Sequence, residues 1–379
     1  MESNKIRVAV VFGGKSGEHE VSLASARSVM AAMDKEKYEI FPIGITKAGR
    51  WLTAGDPMAL LSDGHNGGQA AAGDADASEE MPAENALTPS DGRDLIPGAH
   101  AGRFPAVDVV FPVLHGTYGE DGSVQGLLEL ADLPYVGAGI LGSTLGMDKT
   151  AMKYALQAND LPVVDYYALL RKEWRAQPEQ VIAAIEDRFS YPVFIKPANL
   201  GSSVGISKAH DREELRRGLD LAARFDRKLL VEAAINAREI ECSVLGNDDP
   251  IASVPGEVVP CNEFYDYKAK YIDGDSALII PAELPQETTR QIQELAVRVF
   301  RAIDCAGMAR VDFFLCRDTG RLYVNELNTI PGFTSISMYP KLWEASGLSY
   351  PELIDRLIEL AIERHQDKHL SETSYGFDH

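Results

Sequence analysis

The sequence predicts an α/β protein with a mostly parallel sheet in its first third and hairpins after it. Three observations point there. The first third alternates apolar runs, "KIRVAVVFGG", "YEIFPIGIT" and "VDVVFPVLHG", with the helically spaced "SLASARSVMAAM". That is the βαβ order of a parallel sheet with covering helices. The middle carries "YPVFIKPANLGSSVGISKA", an apolar run, a Gly-Ser loop and a second run. The last third holds two alternating runs around "DTG" in "ARVDFFLCRDTGRLYVNELN", which reads as a second hairpin.

The first strand ends in "VVFGGKSGEHEVS", which invites a phosphate-loop reading. That loop needs Gly-x-x-x-x-Gly-Lys-Ser/Thr, so that backbone N–H groups curl around phosphates. Ala9 stands where the first Gly must be, inside the apolar run. The reading fails for Lys15 and Ser16, and "GGKSGE" also lacks the Gly-x-Gly-x-x-Gly spacing of a dinucleotide site. What remains is a Gly turn carrying Glu18, followed by a helix that Ser22 or a neighbour could start. From 54 to 103 the chain is rich in Gly, Ala, Asp, Ser, Glu and Pro. It can bury little apolar surface and is expected to be a mobile surface insertion.

Next come a helix after "EDG" and a short strand at "LPYVG". A helix at "DKTAMKYALQAND" has Asp148 placed as its N-cap. "DREELRRGLDLAARF" is an amphipathic helix, and "KLLVEAAI" and "REIECSVLG" are strands. The last helix, "SYPELIDRLIELAIERH", opens on a Ser349–Glu352 capping box. No internal repeat is present.

With 379 residues the chain is long enough for two or three domains. Hydrophobic content of 45% and charged content of 25% fit a globular protein. The net charge of -20 argues against a nucleic-acid partner or an anionic membrane surface. It leaves room for a local basic pocket. Cys242, Cys261, Cys305 and Cys316 have no paired short spacing and read as reduced core thiols. No apolar run approaches the roughly 20 residues of a membrane span. No signal peptide is evident, so the expected location is the cytoplasm.

The strongest chemical signal is in the last hairpin. A three-residue "DTG" loop with Gly320 left-handed would pair Arg317 with Arg321, and hence Asp312 with Glu326. Alternation puts Arg310 and Asp312 on one face, and Glu326 and Asn328 on the same side across the pair. Two carboxylates and an amide suit a hard cation, above all Mg²⁺. The plain alternative is a solvated strand face with a cross-strand ion pair. Alternation alone does not account for Asp, Glu and Asn together on the polar face, which favours metal. Lys196 ends a strand and can reach a phosphate. The loop after it can lay N–H groups and the hydroxyls of Ser202 and Ser203 over phosphates, or be an ordinary Gly-rich turn. Lys149, at a helix start, would on its own be an exposed lysine.

Taken together these segments carry a resemblance. "VVFGGKSGEHEVSLASA", "LHGTYGEDGSVQG", "GSTLGMDKTAMK", "FIKPANLGSSVGISK", "EFYDYKAKY", "ARVDFFL" and "NELNTIPGFTSISMYP" follow the order of the D-alanine–D-alanine ligases. The chain resembles that family over nearly its whole length, outside the insertion and the tail. The resemblance implies the ATP-grasp fold in three domains. These would be an N-terminal βαβ domain over 1–137, a central domain over 138–232 and a C-terminal domain over 233–379 with the metal site. It implies ligation of two D-alanines by ATP through an acyl phosphate, for peptidoglycan precursors, by a homodimer. Two Mg²⁺ (or Mn²⁺) ions would serve it, with K⁺ as a candidate activator.

The resemblance also implies residue roles. Glu18 contacts the first substrate's ammonium, with His115 nearby. Lys149 and Lys196 hold ATP phosphates, Glu232 takes the adenine amino group and Glu239 the ribose. Asp312, Glu326 and Asn328 hold the metal ions. Arg310 neutralises the transferred phosphate and the tetrahedral intermediate, with the Gly332 N–H as oxyanion donor. Ser337 and Met338 form the pocket for the second carboxylate. "EFYDYKAKY" is the mobile loop: Lys270 reaches the γ-phosphate, and Tyr271 bonds Glu18 and Ser202. Relatives that make D-alanyl-D-lactate differ at this tyrosine, so Tyr271 favours amide formation over the ester. Two other readings are a depsipeptide ligase of the same fold and a silent ATP-binding protein. The latter predicts damage at the lysine or metal positions, and none is present.

Overall fold

The computed structural model describes residues 5–53, 55–62, 86–87, 106–259, 277–334 and 336–372. Three sheets organise them. In the first, β1 (Ile6–Gly13) runs parallel to both β2 (Tyr38–Ile45) and β5 (Val109–Val113). Short antiparallel β3 (Trp51–Leu52) and β4 (Ala86–Leu87) extend the edge in the order β4-β3-β2-β1-β5. Val8 to Phe12 are buried without alternation, as a central parallel strand covered on both faces must be.

Helix α1 (His19–Ala32) covers this sheet with Leu23, Ala26 and Val29. It begins at His19, three residues before the expected cap at Ser22. Ser22 has another task. Its buried hydroxyl accepts the Gly13 N–H at 2.7 Å and donates to the Val113 carbonyl, tying the ends of β1 and β5.

The stretch expected as a mobile surface insertion opens on a helix. Helix α2 (Pro57–Ser62) packs Pro57 and Leu61 on Gly44, where a Cβ would meet Leu61 at 2.8 Å. Asp56 accepts the Met58 and Ala59 N–H groups. Most of the remainder to 103 lies outside the described residues.

Helices α3 (Ser123–Leu130), α4 (Ile140–Met147) and α5 (Lys149–Ala158) follow, and Asp148 caps α5 through the Ala151 N–H at 3.0 Å as expected. The second sheet is antiparallel, in the order β6-β9-β7-β8. It consists of β6 (Tyr166–Leu170), β7 (Val193–Pro197), β8 (Ser207–Ala209) and β9 (Lys228–Ala233). Between these strands run α6 (Arg171–Ala176), α7 (Pro178–Arg188) and α8 (Arg212–Phe225). The hairpin expected around the Gly-Ser loop is β7–β8.

The third sheet has the order β13-β12-β10-β14-β15, with β11 also on β10. Its strands are β10 (Ala237–Gly246), β11 (Ile251–Ala252), β12 (Gly256–Val259), β13 (Ala277–Ile279), β14 (Gly307–Cys316) and β15 (Leu322–Asn328). Helix α9 (Gln286–Ala302) packs on it. The chain ends in α10 (Met338–Ala345) and α11 (Tyr350–Lys368), the latter opened by the Ser349–Glu352 capping box.

Three larger cores follow. The central one lies between the second sheet, α7 and α8. Another joins the third sheet to α9 and to Met152 and Leu156 of α5. The largest puts Tyr339 of α10 and Leu353, Ile354, Leu357 and Ile358 of α11 against Val8, Phe12 and Phe111 of the first sheet. The last helices therefore return to the first strands.

The last hairpin departs from its expected register at one end. Asp312 does pair with Glu326, and Gly320 is left-handed at φ 66°. At the turn, however, Cys316 rather than Arg317 bonds Arg321, and Leu315 faces Leu322. A bulge between Asp312 and Phe313, with Asn325 as the extra residue of β15, restores the pairing.

Cys242, Cys305 and Cys316 are buried thiols, and Cys261 lies outside the described residues. No helix among the described residues is long and apolar enough to cross a membrane.

Replacing Ser22 by Ala orphans the buried Gly13 N–H. The expected loss is about 1–3 kcal/mol of unfolding free energy, read as a lower urea midpoint at unchanged slope. A midpoint equal to wild type would show that the hydroxyl ties nothing.

Candidate active site

All three sheets contribute to one cavity of about 1510 Å³. Its N-terminal wall holds Glu18, at the start of α1, and His115, just after β5. The central sheet supplies Lys196 and Glu232 and the loop with Ser202 and Ser203. The third sheet supplies Glu239, Arg310, Glu326 and Asn328, and the loop beyond adds Gly332, Ser337 and Met338. Lys149 enters from α5. Asp312 lies directly behind Arg310 and Asn328. Lys270 and Tyr271 lie outside the described residues. Lys15 and Ser16 do not line the cavity. The Ser16 hydroxyl bonds the His115 carbonyl at 2.6 Å, and the Lys15 ammonium lies 5.8 Å over the Tyr118 ring.

The four polar groups of the hairpin do converge. Arg310 forks onto Asp312 at 2.7 and 2.8 Å and meets Glu241 at 2.9 Å. Asn328 donates to Asp312 at 3.0 Å. Burial alone would lower the Arg310 guanidinium, but Asp312 and Glu241 raise it well above its ordinary value. The cation is thus permanent, and its fork is oriented by carboxylates behind it.

Lys149 donates to the Leu200 carbonyl at 2.9 Å and lies 3.5 Å from Glu326. Lys196 meets Glu232 at 2.5 Å and Asn325 at 3.5 Å. Glu232 is also met by Lys153, at 2.7 Å. Burial would raise the Glu232 carboxyl, yet Lys153 and Lys196 hold it down at about 2. Both its oxygens already serve ammonium groups, so an adenine amino group would share one of them.

Ser202 and Ser203 are left-handed, at φ 50° and 58°, a conformation that costs a non-glycine residue energy and recurs at functional loops. The turn carries the Ser202 hydroxyl onto Glu18 across the cavity. Gly201 is fitted closely there, since a Cβ would meet the Glu18 carboxylate at 2.9 Å. His115 is buried, with Nδ1 2.9 Å from the Ile330 carbonyl and Nε2 3.0 Å from Ser25. Burial lowers its pKa, against the nearby Glu18 charge. Ser337 accepts the Thr334 N–H at 3.0 Å, and Met338 packs on Val258 and Leu342.

Four residues at the site or directly behind it escaped the sequence reading. Lys153 is 1% exposed, four residues after Lys149 on α5. Like charges at that spacing repel, so a carboxylate partner could have been anticipated. Glu241 follows Glu239 by two on β10 and so shares its face. Asn325 reaches Lys196 only through the bulge, which no pattern announced. Glu120, in "YGEDG", accepts the Gly116 N–H at 2.6 Å and the Ile330 N–H at 3.0 Å. Burial and then the Glu18 charge push its carboxyl up to about 8, against those two donors.

The comparisons with known proteins agree over nearly the whole chain. The family model described as D-ala D-ala ligase N-terminus matches residues 7–138, and the one described as D-ala D-ala ligase C-terminus matches 155–359. The chain belongs to the D-alanine–D-alanine ligase family. A D-alanine–D-alanine ligase of Acetivibrio thermocellus is 51% identical, over 96% of this chain and 98% of its own. One of Ruminiclostridium cellulolyticum is 52% identical, over 96% and 97%. Among solved structures, the D-alanine–D-alanine ligase of Coxiella burnetii superposes with a TM-score of 0.79 at 39% identity, covering 97% of this chain and 96% of that one. VanG D-Ala:D-Ser ligase of Enterococcus faecalis gives 0.78 at 36%, covering 94% and 100%. The fold of this ligase is the ATP-grasp fold.

Two consequences can be measured. Lys153→Met leaves Glu232 to Lys196 alone. The expected loss is about 3 kcal/mol, the low end for breaking a buried ion pair, and an unchanged denaturation midpoint would refute it. Glu120 is raised in the fold, so its contribution to stability is complete below 4.5 and is lost as pH rises through about 8. The melting temperature of Glu120→Gln relative to wild type should therefore rise across that window and level off above it. A difference independent of pH would dismiss the linkage.

Proposed function

We propose that this ligase joins two D-alanines into D-alanyl-D-alanine for peptidoglycan precursors, converting ATP to ADP and phosphate. The observation that carries the reading is the meeting of Lys149, Lys196, Arg310, Glu326 and Asn328 with Glu18 in one cavity, with Asp312 held against Arg310 and Asn328 behind it.

A carboxylate repels nucleophiles, so it must first be activated as an acyl phosphate. In this reading Glu18 anchors the ammonium of the first D-alanine, with His115 and Ser202 holding that wall. Lys149 and Lys196 hold the phosphates under the Ser202–Ser203 loop, and Glu232 and Glu239 take the adenine and ribose. Arg310 neutralises charge on the transferring phosphoryl group. The amine of the second D-alanine, its carboxylate held at Ser337 and Met338, then attacks the acyl carbon. The Gly332 N–H and Arg310 receive the oxyanion, and phosphate leaves. Lys270 and Tyr271, on the closing loop, exclude water that would hydrolyse the acyl phosphate.

ATP and a divalent cation go with the family, and we read the cation as Mg²⁺, replaceable by Mn²⁺, with K⁺ as a further activator. Asp312, Glu326 and Asn328 fit such a cation, being an all-oxygen donor set on one strand face beside the phosphate lysines. Bound there, it supplies charge neutralisation for the phosphates. A homodimer completes the reading, and light scattering tests it.

The experiment is phosphate release with ATP, Mg²⁺ and D-alanine, alone and with D-lactate or D-serine, with products identified by mass. Dipeptide as the main product is expected, with chelation of the metal abolishing turnover. Arg310→Lys keeps the charge but loses the fork, and kcat should fall by about 100-fold, as when one transition-state donor is removed. No phosphate release from folded, ATP-binding protein would overturn the reading. Mainly D-alanyl-D-lactate would overturn the amide assignment and the role given to Tyr271.

A further inference from the structure

A second cluster of ligand-type side chains lies outside the cavity, where the chain's last helix meets the N-terminal part. His365 and His369 stand one turn apart near the end of α11. Asp132 stands in the turn after α3, in a left-handed conformation at φ 54°. His369 Nε2 is 2.9 Å from Asp132 Oδ1, His365 Nε2 is 3.3 Å from the same oxygen, and the two nitrogens are 3.3 Å apart.

This triangle is hard to explain by hydrogen bonds alone. The 2.9 Å edge is a good one, with His369 donating. The other two edges, both 3.3 Å, are long for hydrogen bonds. Two ring nitrogens aimed at each other and at one oxygen meet lone pair to lone pair, or proton to proton, unless one donates to the other. A metal ion removes the conflict. Zn²⁺ holds imidazole nitrogens and carboxylate oxygens at about 2.0–2.2 Å in tetrahedral geometry, which sets ligand atoms about 3.4 Å apart. The three atoms therefore match one face of a zinc tetrahedron, slightly contracted at one edge. Two imidazoles and a carboxylate also select zinc over Mg²⁺, which prefers oxygen.

The surroundings leave room for the ion. The side chains of Asp132 and His369 are 68% and 51% exposed, so water can take the fourth position. The neighbouring cations are engaged elsewhere. Lys368 pairs with Glu129, and Arg364 donates to the carbonyls of Gly137 and Tyr135 and lies 4.4 Å over the Tyr135 ring. Those contacts already join α11 to α3 and the segment after it, and a shared metal would close the same seam.

We propose that Asp132, His365 and His369 form a surface Zn²⁺ site that clips the last helix to the turn after α3. The test uses metal-free full-length protein in excess Mg²⁺, which occupies the oxygen sites of the cavity. Zn²⁺ alone is titrated by calorimetry, and melting temperature is followed in parallel. Wild type should bind one ion per chain and melt at higher temperature with zinc. His365→Ala/His369→Ala should weaken binding by more than about 100-fold, beyond the cost of removing an outer-shell partner, and abolish the shift. Asp132→Asn should weaken it less. Co²⁺ in place of zinc should give the intense visible absorption of a tetrahedral complex in wild type alone. Phosphate release by all variants should equal that of wild type. Should the double variant not fold, His369→Gln makes the same comparison. Zinc binding absent from wild type, or equal in the variants, would overturn the site and leave a hydrogen-bonded trio.

Discussion

The cavity depends on how the loop after β15 is held. That loop carries the chain from the oxygen cluster at Asn328 to the pocket at Ser337 and Met338, and it lies against the N-terminal sheet. Phe333, fully buried, meets Phe111 edge-on with ring centres 6.0 Å apart. Its N–H is bonded by Ser25, the Ile330 N–H by Glu120, and the Ile330 carbonyl by His115. Three polar clamps and one aromatic anchor thus fix a segment with no regular structure of its own. Glu18 and Arg310, far apart in sequence, face the same space because of it. Loosening this contact would separate the N-terminal wall from the hairpin even with both intact.

The buried cations around the hairpin follow one rule: Lys149, Lys196 and Arg310 each have a carboxylate partner from the protein. Lys149 lies by Glu326, Lys196 by Glu232, and Arg310 between Asp312 and Glu241. Buried lysines and arginines left alone would be very unfavourable. The pairs keep them charged and oriented while leaving them facing the cavity. Lys153, with no access to the cavity, completes the set by sharing Glu232 with Lys196. The chain can therefore carry a net charge of -20 and still concentrate positive groups where an anion would enter.

Much of this was legible in the residues, for reasons that differ by element. The alternation of β14 and β15 placed Arg310, Asp312, Glu326 and Asn328 on one face because a strand's period is two. The capping roles of Asp148 and Ser349 were readable because they depend on neighbours in sequence. The start of α1 was not, since Ser22 answers to Gly13 and Val113, and Val113 is distant in the chain. Nor was α2, whose short apolar face makes sense only against Gly44. The turn register of the last hairpin failed for a similar reason. The bulge at Asn325 is stabilised by what surrounds it rather than by any residue preference. Glu120 and Asn325 act through contacts across the fold, where local pattern carries no information, while the spacing of Lys153 hints at a partner without naming Glu232.

The packing of the last helices on the first strands sets an order of assembly. The central core draws on a contiguous stretch, from Leu169 to Val231, and can close as soon as that stretch has left the ribosome. The first core runs from Val8 to Ala361, so it waits for nearly the whole chain. During synthesis the N-terminal strands stand with an apolar face uncovered while later segments fold around them. The order of folding thus departs from the order of translation. The early strands of this sequence are among the last to be sealed, and their apolar face needs protection from aggregation until α11 arrives.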